Sequence, residues 1–499
     1  CRSKKETNDQ GNQKGTAIYY TNNDVTKLIM KKENVKPFLD EIMKAMPEVT
    51  VLTKEEERLI YAHGCYPREY KWLLQGTYKY LPSAILMANC TQEVSKILEL
   101  SQKYEVGIIP YGGGSGIVGG TIPEDGEVMI DTKRLRDFEI NPINGTATGG
   151  AGLTGAEFEN LLNNAGYTCG QYPQSFQSAV LGGMVSTRAI GTFSTKYGKM
   201  DDMVNSLEVV LPNGHVYQSH KCPKASTGPE LDQLFLGAEG TYGVVTKVEM
   251  KIYPVAEKRY FEAYTFQRTE DALEAIRQFV QNHVHPAVVR LYDEEEAIPK
   301  LAEFHYEKDQ VLLIVGYEGL ARQVDLEREL VNEYCVKNGG VNKGTEAGEA
   351  WFRTRFSTKK MLDYDATKGG TADAIEVAAP WDCIANVWRE MRRALEPLCT
   401  VVDCHFSHVY HTGASVYVIF HADTQGDDYD GEKRYLECLD TAIRTSLKYG
   451  GNISHHHGCG KAKAAYLADE HGEAGVEVMK KIKDALDPKG LLNKGVLGL

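Results

Sequence analysis

The run Pro110-Tyr111-Gly112-Gly113-Gly114-Ser115-Gly116-Ile117-Val118-Gly119-Gly120 constrains this chain more than any other stretch. It follows the apolar segment from Val106 to Ile109 directly, so a strand feeds into a loop that is nearly devoid of side chains. Glycine reaches positive φ at no steric cost, and successive N–H groups turned inward form a concavity that suits a phosphate or a diphosphate. Two further small-residue stretches follow, Gly182-Gly183-Met184-Val185-Ser186-Thr187-Arg188-Ala189-Ile190-Gly191 and Gly237-Ala238-Glu239-Gly240-Thr241-Tyr242-Gly243. No helical pattern opens right after the first loop, and no acidic residue closes a following strand at the expected spacing. A Gly-x-Gly-x-x-Gly dinucleotide fold is therefore not the expectation.

The surrounding pattern is mixed. Ala84 to Ala88 reads as a short strand, Thr91 caps a helix whose Val94, Ile97 and Leu98 share one face, and Val106 to Ile109 completes a βαβ unit with the loop at its carboxyl end. Thr154-Gly155-Ala156-Glu157 is a capping box opening a helix with Phe158, Leu161 and Leu162 inward and Gly166 as its stop. Leu207 to Leu211 and His215 to Gln218 form a hairpin across Pro212-Asn213-Gly214, and Val244 to Ile252 alternates as a strand. Beyond Pro254, strand-like runs (260–266, 287–292, 311–317, 415–421) alternate with helical ones (271–280, 324–336, 382–395, 432–449), which predicts an antiparallel sheet with helices packed on it. The expected organisation is an α+β chain: a tail at 1–16, a helical region at 17–80, a ligand-binding domain at 81–254, a cap domain at 255–474 that holds the substrate, and a C-terminal helix and tail at 475–499 packing back on the first domain.

A length of 499 residues exceeds a single core, and a net charge of -13 lacks the basic face that nucleic acid requires. No apolar run reaches the roughly 18 residues of a membrane span. Eleven cysteines without a Cys-x-x-Cys pair read as reduced thiols and suggest a reducing compartment. Cys1 and the polar run behind it would instead suit a lipoprotein anchored through that cysteine, or a trimmed end, so location is left between the two.

Ser454-His455-His456-His457-Gly458-Cys459-Gly460-Lys461 carries the chemistry. Read as extended backbone, it points His455 and His457 one way and His456 the other. No metal is expected, because zinc needs further ligands in a geometry that adjacent residues rarely offer. Histidine titrates near neutrality and suits acid/base work. His405, His408 and His411 are three apart in a segment that reads as extended, and are expected to be structural.

These motifs, with Ser226-Thr227-Gly228-Pro229-Glu230, Glu376-Val377-Ala378-Ala379-Pro380-Trp381 and Gly413-Ala414-Ser415-Val416-Tyr417, resemble the vanillyl-alcohol oxidase family with its PCMH-type FAD domain. Within that family they look like the alkyldihydroxyacetonephosphate synthases and their bacterial relatives, from about residue 80 to the end. The resemblance implies a two-subdomain FAD-binding domain under a cap and a bound FAD. It places Pro110, Gly112, Gly113, Gly114, Ser115, Gly116, Gln174, Ser175, Gly182, Gly183, Ser186, Thr187, Glu239, Gly240, Gly243, Val244 and Asn493 at the cofactor, and Tyr417, His455, His456 and His457 at the reacting centre. The FAD is expected to be non-covalent, since the first loop holds no histidine or cysteine and Cys169 alone lies near the second. A small-molecule substrate is expected, and a homodimer is a further expectation.

Two positions depart from the synthase pattern: Leu362 before Asp363 replaces an arginine at the substrate phosphate, and Gln171 ahead of Ser175 replaces a histidine. The residues that could restore the lost charge are Arg353, Arg355, Lys359 and Lys360. The expected reaction is hydride transfer from a hydroxyl-bearing small molecule, a 2-hydroxyacid or an alcohol, to the flavin; ether-lipid synthesis with no net redox change is the alternative. The other branch it resembles, the D-2-hydroxyacid dehydrogenases, includes metal-bearing members whose His-x-Gly-Asp-Gly-Asn-x-His motif is missing from His408 to Tyr417.

Overall fold

The computed structural model describes residues 32–74, 76–306, 308–357, 370–423 and 428–499. Cys1 and the expected tail lie outside them, as do Lys359, Lys360, Leu362 and Asp363.

Four strands make the first sheet: β1 (Thr50–Leu52), β2 (Ala84–Met87), β3 (Ile108–Tyr111) and β4 (Val128–Asp131), in the order β1-β2-β4-β3. β2 and β3 run parallel to β4, which lies between them, and the helix Thr91–Tyr104 makes the crossover. All four residues of β4 are buried, as a central parallel strand requires. The stretch before residue 80 is not wholly helical, because β1 pairs antiparallel with β2 at the sheet edge.

Next along the chain come β5 (Phe138–Asn141), β6 (Thr146–Gly150), β7 (Tyr167–Thr168), β8 (Val204–Val210), β9 (Val216–Gln218), β10 (Val244–Lys251) and β11 (Tyr253–Pro254). Five of them form an antiparallel sheet in the order β5-β6-β10-β8-β9, while β7 and β11 pair separately. The capping box is formed as read: Thr154 Oγ1 accepts from the Glu157 N–H, and the Glu157 carboxylate accepts from the Thr154 N–H. Leu161, expected inward, is exposed, and Phe158 and Leu162 fill the core alone.

The third sheet has seven antiparallel strands: β12 (Lys258–Phe266), β13 (Val288–Tyr292), β14 (Val311–Gly319), β15 (Val341–Gly344), β16 (Thr371–Pro380), β17 (Val401–Val409) and β18 (Gly413–Ala422). Their order is β15-β12-β14-β13-β17-β18-β16. The residues of one face (Leu291, Val315, Ile375, Val377, Cys404, Phe406, Val416, Val418) join a core with the helices Thr269–Gln281, Ile384–Leu395 and Asp428–Lys448. Each such buried aliphatic side chain contributes about 1.5–3 kcal/mol. The opposite face carries residues that an apolar core would not tolerate.

The last helix, Leu467–Leu486, begins earlier than position 475, with non-helical backbone at Gly472. Its Lys483 donates to the Thr241 and Leu492 carbonyls and pairs with Asp487 at 2.8 Å, which fastens the C-terminal tail onto the third glycine stretch.

Candidate active site

The first glycine loop is shaped by close approach. A Cβ on Gly113 would lie 1.9 Å from the Ser178 carbonyl oxygen, and one on Gly112 would lie 2.4 Å from Val180 Cγ2. The loop is thus pressed onto the turn that follows Gln174 and Ser175, and Ser175 holds that turn through its carbonyl, which accepts from the Ser178 and Ala179 N–H groups. Gly114 sits at φ +62°. Gly116 has open space where a Cβ would stand.

The other two stretches are tied to each other and to the first. The Glu239 N–H donates to the Ser186 carbonyl, and the Gly237 N–H to that of Val185. Ser186 and Thr187 return their hydroxyls to the Gly182 and Gly183 carbonyls. Gly240 (φ +75°) lies against Pro110. The Asn493 side chain donates to the Gly120 carbonyl at 3.1 Å and to the Glu239 carbonyl at 2.6 Å, joining first loop, third loop and tail. Gly182 abuts Ala151, Gly183 lies near Val180, Gly243 is pressed on Val209, and Val244 is buried in the core of this half. Gln174 is exposed.

These residues fit an FAD. The loop backbone is free of side chains where Gly116 opens, and the buried Asn493 Oδ1 and Gln171 Oε1 have no donor among the described residues. Two buried acceptors without donors cost about 1–3 kcal/mol each, and a cofactor rich in hydroxyl and N–H groups supplies what they lack. Cys169 is buried and donates its thiol to Glu159 at 3.1 Å; burial raises it well above the ordinary thiol range.

The Glu239 carboxylate has another task. It accepts from the Cys459 N–H at 2.7 Å and the Gly460 N–H at 3.0 Å, while the Val118 carbonyl accepts from the Lys461 and Ala462 N–H groups. The end of the histidine segment is thereby bolted to the first and third glycine stretches.

The histidine segment is not extended. It coils around Glu376, whose Oε1 accepts from the Ser454 hydroxyl (2.6 Å), the His456 N–H (3.1 Å) and the His457 N–H (2.6 Å). All three rings consequently gather in one cluster: His455 and His456 bring their Nδ1 atoms to 2.9 Å, and the His456 and His457 rings lie 4.5 Å apart. The Tyr410 hydroxyl meets His455 Nε2 at 2.7 Å, and Lys199 Nζ donates to the His455 carbonyl at 2.7 Å.

Sheet register supplies the rest. Glu376 on β16 lies opposite Tyr417 on β18, Tyr417 opposite His405 on β17, and His405 opposite Tyr292 on β13. Directly opposed residues share a face, so one row of functional side chains crosses four strands on the face away from the helices. Tyr417 stacks on His405 with ring centroids 4.5 Å apart, and its hydroxyl stands 3.4 Å from His457 Nε2.

His405 and His408, expected apart from the site, lie within this cluster. A bulge between Ser407 and Val409, with His408 at φ +53°, turns the His408 ring against His455 at 5.6 Å and His456 at 5.2 Å, and Ser194 Oγ meets its Nδ1 at 2.8 Å. His411 is elsewhere, 6.2 Å from His283. Among the described residues no group of histidine, cysteine and carboxylate side chains could hold a metal ion.

Electrostatics set the protonation states. Burial lowers His455 to about 3 and His405 and His457 to about 4, so the imidazoles are neutral near pH 7. Burial also pushes the Tyr417 hydroxyl far above its ordinary range, with Glu376 adding to the effect. Burial alone would raise Glu376, but His457, Lys463 (Nζ at 3.0 Å) and the donated hydrogen bonds hold its carboxyl well below the usual range.

Arg290, Lys199 and Lys463 carry no motif of their own, and Glu376 opens the Glu376–Trp381 motif without having been read as a site residue. The available signal was a lone charge inside an apolar strand, as in Val288-Val289-Arg290-Leu291 and Ala374-Ile375-Glu376-Val377. Arg290 donates Nε–H to the Tyr292 hydroxyl (2.9 Å) and rests Nη2 3.4 Å from His405 Nδ1, which itself donates to Glu296 at 2.8 Å. No carboxylate lies within ion-pair distance of Arg290 among the described residues.

Comparison with known proteins agrees with this architecture. Residues 82–219 match the FAD binding domain family, and 256–497 match the C-terminal domain of FAD linked oxidases. The chain is 28% identical to the alkyldihydroxyacetonephosphate synthase of Trypanosoma brucei brucei, over 93% of this chain and 80% of that one. It is 26% identical to the glycolate oxidase subunit GlcD of Bacillus subtilis, over 88% and 92%. A solved alkyldihydroxyacetonephosphate synthase superposes with a TM-score of 0.77 at 26% identity, covering 92% of this chain and 84% of that one. With one FAD-binding domain, a cap of the FAD-linked oxidase type and the imidazole cluster where they meet, the chain belongs to the FAD-linked oxidases, FAD-dependent oxidoreductases of PCMH-type fold.

Proposed function

We propose that this enzyme oxidises a small hydroxyl-bearing acid, a 2-hydroxyacid in the first instance, using non-covalently held FAD. The observation that carries the reading is Arg290: a guanidinium beside His405 and Tyr417 with no carboxylate in ion-pair distance among the described residues. Arg290 is half-buried and feels Glu296 only across His405, so its guanidinium keeps donors for a carboxylate on the substrate, which meets it by a charge-assisted hydrogen bond. Bound FAD supplies the hydride acceptor. The chain supplies the rest: Arg290 anchors the acid end, the neutral imidazoles receive the hydroxyl proton, and the cluster's burial excludes water.

Arg355 is a second place for negative charge. It is half-buried between Phe352 (3.9 Å) and Phe356 (4.3 Å), its Nε has no partner among the described residues, and burial together with neighbouring Arg259 lowers it to about 10. Arg353 is exposed and lies 3.9 Å from Glu349. Non-covalent attachment is supported by Cys169, whose thiol faces Glu159 in the core; acid precipitation should leave the flavin in the supernatant.

The second reading, ether-lipid synthesis, is favoured by the 28% identity to the trypanosomal synthase over 93% of the chain. Gln171 weighs against it, since its buried amide donates to the Ala189 carbonyl at 3.1 Å and cannot take a proton as a histidine would. The test is anaerobic titration of the holoprotein with D-2-hydroxyacids while the flavin band is followed. Bleaching is expected; incorporation of a long-chain alcohol without bleaching would favour the synthase.

A further inference from the structure

We propose that Glu376 is a positioning residue that fixes the proton of His457 on Nδ1, leaving Nε2 as the acceptor for the Tyr417 hydroxyl proton. The inference rests on the oxidation reading for its catalytic consequence, and on the fold alone for the tautomer.

The geometry is directional. Both backbone N–H groups of His456 and His457 and the Ser454 hydroxyl end on Glu376 Oε1, so the carboxylate fixes the segment's path before any side chain is considered. Oε2 is left to face two groups, Lys463 Nζ at 3.0 Å and His457 Nδ1 at 3.6 Å. A carboxylate accepts and cannot donate, so the imidazole nitrogen on its side is the one that carries hydrogen. The other nitrogen, Nε2, then presents a lone pair, and the Tyr417 hydroxyl lies 3.4 Å from it. The register that sets Glu376 opposite Tyr417 holds both ends of this line on adjacent strands.

The step balances without a further reagent. As the substrate O–H bond breaks, its proton joins Tyr417 Oη; the phenol's own O–H bond breaks, and that proton forms an N–H bond at His457 Nε2. The imidazolium so formed stands beside the Glu376 carboxylate. Lys463, 4% exposed, faces the same carboxylate oxygen as His457 and keeps that carboxylate ionised. The titratable and charged groups facing His457 among the described residues are Glu376 from β16, Tyr417 from β18, His455 and His456 from its own segment, and Lys463 on the same carboxylate oxygen.

The experiment has a kinetic arm and a spectroscopic arm, both on FAD-loaded protein. Glu376→Gln retains an oxygen to accept from Ser454 and the two N–H groups, while the charge is lost and an NH2 donor replaces the oxygen that faces Lys463 and His457. It is expected to slow flavin reduction in single turnover by roughly 10- to 100-fold, to lower the pH at which reduction reaches half its limit, because the charge that stabilised the His457 imidazolium is gone, and to leave the flavin content intact. Glu376→Asp should recover part of the rate. In a Tyr417→Phe background Glu376→Gln should cost little more, because the line is already broken. Fully multiplicative losses would overturn the proposal. Nitrogen NMR of histidine-labelled wild-type protein, with His457→Gln to assign the signal, should find the proton on Nδ1; a proton on Nε2 would overturn it. The spectroscopic arm needs neither substrate nor variant stability, so it decides the tautomer even if no hydroxyacid bleaches the flavin, a result that would count against the oxidation reading instead.

Discussion

The two sides of the active centre are built on opposite principles. The FAD side works by subtraction: glycines at 112–114, 182–183 and 237–243 bring backbone against backbone, so its specificity lies in atoms that are missing. The cap side works by accumulation, gathering five imidazoles, three tyrosines, three cations and two carboxylates from segments spread between positions 199 and 463. The first side tolerates no added atom, and the second no lost polar partner. Glu239, Asn493 and the Val118 carbonyl are the mortar between them.

The comparison breaks most visibly at Tyr417. Replacing it with phenylalanine should slow flavin reduction by about 10²–10⁴-fold while the protein stays yellow, as stopped-flow absorbance would record; a change below threefold would remove the hydroxyl from the chemistry. Gly113→Ala attacks the other side. The new methyl would meet the Ser178 carbonyl, and overpacking of about 1–3 kcal/mol should appear as weaker FAD binding by equilibrium dialysis. If that variant bound FAD normally, the subtraction principle would fail.

Arg290→Met should raise KM for an acidic substrate by about 10- to 100-fold, the worth of one hydrogen bond to a charged group, and should barely affect an uncharged alcohol. Equal losses on both would relocate the anion site, with Arg355 the next to examine.

The smallest effect is on acid stability, and its sign follows from burial. His405, His455 and His457 are held at about 4, 3 and 4, below an unfolded value near 6.5, so the unfolded chain binds more protons between those limits. Stability is complete above about pH 6.5 and falls as pH drops toward 4. Asp373 and Glu69, raised to about 7 by burial, act oppositely: they favour the folded state in acid and cost stability as pH rises from about 4.5 to 7. Calorimetry should find Tm lower at pH 5 than at pH 7, and His455→Gln should flatten that slope. A His455→Gln variant whose Tm followed pH as steeply as the wild type's would mean that His455 is not buried neutral.

Much of the FAD side was legible because its signals are local. A glycine run after a strand, the Thr154–Glu157 capping box and the Leu207–Gln218 hairpin each act within a few residues, where propensity and turn chemistry dominate. The histidine run was visible as composition, but its shape was not: extended alternation would separate the rings, and the structure coils them around a carboxylate about 80 residues earlier in the chain. That His408 joins His405 on one face was hidden for a related reason, since it depends on a bulge that strand periodicity does not announce.

The sequence by itself determined that strands would feed glycine loops, that an apolar antiparallel sheet would need helices on one face, and that a reactive imidazole cluster existed somewhere. Only the tertiary structure decided which strands became neighbours, and with that the row from Glu376 through Tyr417 and His405 to Tyr292. Alternation within a strand is fixed by the chain's own geometry, whereas register between distant strands is fixed by the packing of the whole core, and a shift of one residue would have sent every functional side chain to the other face.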